Sequence, residues 1–152
     1  MASGFIILED GRAWAKAGWL YDAVLNELIG SIHLGSDEEP FRKYLEDHLP
    51  REGDIDLGYG FIRSGSDENV LRELDLRIVS PRARSVFWSS VERAMVHCQG
   101  EDSEPIRNGL THLHAMGRCV SNGEPPEALT DVNKPMDLPE PGLQEGPWWD
   151  DH

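Results

Sequence analysis

The chain has 152 residues, enough for one domain with its own core and too few for two of ordinary size. Hydrophobic residues make up 39% of it, too many for a wholly disordered chain, and no apolar run approaches the ~20 residues of a bilayer span. Against 14 lysines and arginines stand 28 acids, a net charge of −14 that repels nucleic acid and anionic membranes; it suits either a basic protein partner or simple solubility.

The N-terminus, "MASGFIILEDGR", has no basic region before its apolar run, so no signal peptide is expected. Asp10-Gly11 after that run predicts a tight turn in a short β-hairpin. Ala17, Tyr21, Val24, Leu25, Leu28 and Ile32 follow at steps of three and four, an amphipathic helix ending near Gly30 or Gly35. Trp14 and Trp19 flank its entrance and are expected to close the end of the core. Phe41, Tyr44, Leu45 and Leu49 predict a second helix stopped by Pro50. The stretch "DIDLGYGFIRSGSDE" predicts a glycine-rich loop, with room for a short strand from Tyr59 to Ile62. Val70, Leu71, Leu74 and Ile78 support a third helix capped by Asp67, although "LDLRIV" also reads as a strand. Ser80-Pro81 opens a fourth helix with the stripe Phe87, Trp88, Val91, Ala94, Met95 and Cys98. A fifth begins near Ser103 or Pro105 and uses Ile106, Leu110, Leu113 and Met116.

The fold class expected is mainly α: an irregular bundle of about five helices with an N-terminal β-hairpin, spanning 1–119, and an extended Pro-rich tail over 120–152. That tail holds eight acids against one lysine and six of the ten prolines, which exclude a long helix or a central strand. It closes on Trp148-Trp149-Asp150-Asp151, apolar anchors followed at once by acid. Two readings stand side by side: an anchor for a basic partner, or a clip packing back on the helices.

Sites of chemistry are weakly signalled. The chain lacks the phosphate-binding G-x-x-x-x-G-K-[ST] loop, the G-x-G-x-x-G turn and the H-E-x-x-H zinc motif, and no cofactor is expected. His112 and His114, with Cys119 nearby, have zinc-binding chemistry, but on a helix a two-residue step turns the rings about 200° apart. No metal site is therefore expected. Asp54 and Asp56 are close enough in sequence for an acid–base pair, yet alternating acids in such a loop are ordinarily solvated. Cys98 and Cys119 make no disulfide framework and are expected as reduced thiols in a cytoplasmic protein.

Two stretches carry a family resemblance: "GFIILEDGRAWAKAGWLYDAVL", with its D-G-R turn and Trp19-Leu20-Tyr21-Asp22, and "LRELDLRIVSPRARSVFWSSVERA", with Phe87-Trp88 and Glu92-Arg93-Ala94. Together they resemble cytosolic immunity proteins of bacterial toxin–immunity pairs. The resemblance implies a small, acidic, non-enzymatic protein that binds a cognate toxin domain and blocks its active site or its access to substrate. It transfers no binding residue. The residues themselves nominate Trp148, Trp149, Asp150 and Asp151 as partner-binding, with Asp54, Asp56 and Tyr59 as a second patch facing a basic toxin cleft. The alternatives are an acidic adaptor or secretion chaperone for a basic client, and a small enzyme with an unrecognised site.

Overall fold

A computed structural model of the chain describes residues 3–66, 68–98, 100 and 103–124. The tail beyond Glu124, with Trp148 to Asp151, lies outside the described residues.

The N-terminal hairpin forms as its turn chemistry demands. Strand β1 (Gly4–Ile7) pairs antiparallel with β2 (Ala13–Lys16), and Gly11 turns between them with φ +93°, which a side chain would oppose. Helix α1 (Gly18–Gly30) follows and buries Tyr21, Val24, Leu25 and Leu28. The short helix α2 (Glu39–Glu46) covers one side of α1 with Phe41 and Leu45. Four short strands come next: β3 (Ile55–Asp56), β4 (Gly60–Ile62), β5 (Asn69–Leu71) and β6 (Glu73–Asp75). Helix α3 (Pro81–His97) starts on Ser80, whose Oγ accepts from the Ala83 amide at 3.0 Å, and α4 (Glu104–Ser121) closes the described fold.

The mainly α expectation is corrected. Among the described residues there are four helices and two three-stranded sheets, in strand orders β2-β1-β6 and β3-β4-β5. Val70, Leu71, Leu74 and Ile78 have helical spacing, but they serve β5, β6 and the turn after them. The reason is the demand of β1. Its run Ile6-Ile7-Leu8 is buried, so a two-stranded hairpin leaves one edge of its backbone without partners in the interior. Strand β6 fills that edge in parallel, Ile6 opposite Leu74, and β5 is the preceding arm of the same extended stretch.

One core unites the body. Helix α1 packs against α2, α3, α4 and β1 at its centre. Trp14 is wholly buried, and its indole N–H donates to the Gly109 carbonyl at 3.0 Å, joining β2 to α4. The approach does not depend on glycine: a Cβ at Gly109 would sit at ordinary contact, 3.5 Å, from Trp14, Leu20 and Val24. Trp19 departs from expectation. It is 62% exposed on the solvent side of α1 and does not close the core.

A candidate partner-binding face

The sequence places Asp54, Asp56 and Tyr59 in a loop with room for a strand from Tyr59 to Ile62; in the structure Asp56 ends β3, Asp54 lies just before it, Tyr59 stands in the β3–β4 turn, and Gly60 to Ile62 form β4. Antiparallel pairing sets Ile55 opposite Ile62, Asp56 opposite Phe61, Gly60 opposite Leu71, and Phe61 opposite Val70. Opposed residues share a face and neighbours alternate. One face therefore holds Asp56, Phe61 and Val70, and the other Ile55, Ile62, Leu71 and, by continued alternation, Leu57.

The inner face is built on two arginines. Arg63 and Arg72 place their guanidinium carbons 4.8 and 5.8 Å from the ring centroid of buried Phe61. Arg72 binds Asp22 of α1 through Nε (3.0 Å) and Nη2 (2.9 Å), Asp56 through Nη1 (2.8 Å), and the Gly58 carbonyl (2.8 Å). It fastens the second sheet to the helical body at the point where Gly18 meets Gly58. Gly58 itself takes φ +86° and donates its amide to Asp56 at 2.8 Å, so the β3–β4 turn needs glycine there. Arg63 joins the sheet to the end of α2, donating to the Asp47 and Leu49 carbonyls and to Asp54.

This geometry gives the two loop aspartates internal work. The Asp54 side chain is only 2% exposed and accepts from the Arg51 and Ser64 amides and from Arg63. The two amides, with the arginine behind them, hold its pKa below the ordinary carboxylate value. Asp56 is held low chiefly by Arg72. Each carboxylate is charged, and each answers a cation of its own chain.

The outer face is another matter. Ile55 is 59% exposed, Tyr59 54% and Leu71 47%, with Leu57 also exposed. These are neighbours on one sheet face and its turn, which distinguishes them from the scattered apolar residues common on any surface. The charge around them is negative: from Asp47 to Glu73 there are seven acids and three arginines, a net of −4. All three arginines are engaged within the chain, Arg51 with Asp47 and the others as above. What remains is an apolar patch beside exposed Glu52 and Glu68, which make no ion pair among the described residues.

Sequence reasoning found Tyr59 and missed Ile55, Leu57, Leu71 and the two arginines. A signal was present: Ile55 and Leu57 alternate with Asp54 and Asp56, the period of a strand with one apolar face. His114 approaches Glu92 at 3.6 Å, and among the described residues no group of three or more histidine, cysteine or acidic side chains is arranged to hold a metal ion. No described helix is long and apolar enough to cross a membrane. No family model, curated protein or solved structure matches the chain.

Proposed function

We propose that this protein is an immunity protein that binds a cognate bacterial toxin domain and neutralises it by covering its active site or its access to substrate. The observation that carries this reading is the outer face of the β3-β4-β5 sheet. Large apolar side chains stand exposed there, in a segment of net charge −4 whose Glu52 and Glu68 make no ion pair among the described residues. Apolar anchors in acidic surroundings suit a basic protein cleft: the anchors supply affinity and the charge speeds encounter. The face is also pre-shaped, since Arg63 and Arg72 tie it to α2 and α1, so little ordering cost remains for binding. The acidic sequence and the resemblance to toxin-neutralising proteins point the same way.

The test is co-expression with the toxin domain of the same locus, followed by co-purification and assay of the toxin. Stoichiometric complex and restored growth are expected. A complex that leaves the toxin fully active would instead favour an adaptor or chaperone, and no complex at all would end the proposal. Trp148, Trp149, Asp150 and Asp151 remain second-site candidates; a Trp148→Ala, Trp149→Ala variant in the same assay measures their share.

A further inference from the structure

The hydrogen bonds of β5 are informative in their parity. The Arg63 amide donates to the Glu68 carbonyl at 2.7 Å and the Arg72 amide to the Tyr59 carbonyl at 2.9 Å. In an antiparallel ladder these bonds bracket Val70–Phe61 as the hydrogen-bonded pair and make Asn69–Ile62 and Leu71–Gly60 the non-bonded pairs. The amides and carbonyls of Asn69 and Leu71 therefore point away from β4. Strand β5 is the last strand of its sheet, and no backbone partner for these groups is present among the described residues. Both residues are exposed. Proteins commonly blunt such an edge with lysine or proline, and "NVL" carries neither.

Two surroundings define what fits that edge. On the inner side lies a cleft between α2 and the sheet, lined by Tyr44, His48, Arg63, Glu68 and Val70. On the outer side stands Leu71 with the exposed apolar residues. Exposed Glu68 and Glu73 flank the strand at its two ends. We infer that the edge of β5 takes an extended, basic segment of a partner protein as a fourth strand of the sheet. Backbone bonds to Asn69 and Leu71 supply the pairing, and lysine or arginine near the strand ends meets Glu68 and Glu73. Apolar side chains at alternate positions cover Leu71. The inference rests on the proposed neutralising role only in taking the partner to be a basic protein.

The probe is a short synthetic peptide of alternating lysine and valine, titrated into the full-length, ¹⁵N-labelled protein. The Asn69 and Leu71 amides are expected to shift together and to gain protection from hydrogen exchange. N-methylation of the peptide amides on its pairing edge should weaken binding about tenfold or more, whereas methylation of the opposite edge should not. A glutamate–valine peptide should not bind. Leu71→Pro removes one edge donor while sparing the bonds to β4, and it should reduce binding in a protein whose thermal unfolding is unchanged. Shifts confined to other surfaces, or equal binding by both methylated peptides, would overturn strand addition. The peptide arm involves no toxin, so its failure leaves the neutralisation assay to stand or fall separately; conversely, toxin neutralisation can fail while the edge still takes the peptide.

Discussion

Arg72 connects two carboxylates from different parts of the chain, and its side chain is only 4% exposed. Removing it leaves Asp22 and Asp56 without their cation and the Gly58 carbonyl without its donor. Arg72→Ala should cost about 2–3 kcal/mol in urea unfolding, less than the ~3–5 kcal/mol of a fully buried pair because Asp56 stays largely hydrated. Asp56→Asn should cost well under half as much, since Asp22 still holds the guanidinium. A second expectation concerns pH. Burial pushes the His48 imidazole below its ordinary 6.5, although the Tyr44 carbonyl at Nδ1 and Asp47 oppose the shift; Arg63 adds to it. Burial and Lys16 lower His112. For such a group the unfolded chain takes the proton first, so stability falls as pH drops through 6.5 towards the lower folded value. His48→Gln should flatten part of this slope in thermal unfolding across that range, with His112 supplying the rest. Asp54 and Asp56 behave at the acid end. Their folded pKa values lie below 3.8, so the stability they give is complete above that value and is lost as pH falls through the folded ones.

At the scale of elements, the pairing of β4 with β5 depends on a glycine. A Cβ on Gly60 would stand 2.5 Å from the Val70 carbonyl oxygen and 3.1 Å from the Leu71 Cα, both backbone atoms that cannot turn aside. Gly60→Ala should force the strands apart and cost about 2–3 kcal/mol by urea unfolding, with loss of partner binding. Gly30→Ala is the control: nothing lies within 4 Å of its Cβ position at the end of α1, and it should be neutral or stabilise by up to ~1 kcal/mol. The elements most legible in the sequence were those with local causes. The Asp10-Gly11 turn and the Ser80-Pro81 helix start needed only neighbouring residues. Strand β5 was obscured, and β6 was legible only as the alternative reading of "LDLRIV", because their cause is distant: β6 completes β1 across more than sixty residues of chain, and Val70, Leu71 and Leu74 mimic helical spacing by coincidence. Likewise the partners of Asp54 and Asp56 were hidden, since Arg63 and Arg72 meet them only after the sheet closes.

For the molecule as a whole, the proposed function assigns folding and recognition to opposite faces of one sheet, and this separation is measurable. The inner face supports the structure through Phe61, Arg63 and Arg72. On the outer face Ile55 and Leu71, and Tyr59 in the adjoining β3–β4 turn, are about half exposed or more, so their truncation removes little buried area. Ile55→Ala, Tyr59→Ala and Leu71→Ala should each change stability by no more than about 0.5 kcal/mol. If the face binds the toxin, at least one of them should lower affinity ten- to a hundredfold, about 1.4–2.7 kcal/mol, because anchors at the centre of an interface dominate its energy. Salt should act differently. The −4 charge of the surrounding segment raises the encounter rate, so added salt should slow association while leaving dissociation nearly constant. The anchor substitutions should instead speed dissociation. Surface plasmon resonance with the toxin domain at two salt concentrations separates these terms. Loss of affinity only in variants that also unfold would mean that the outer face is merely a surface, and the interface would have to be sought elsewhere on the chain.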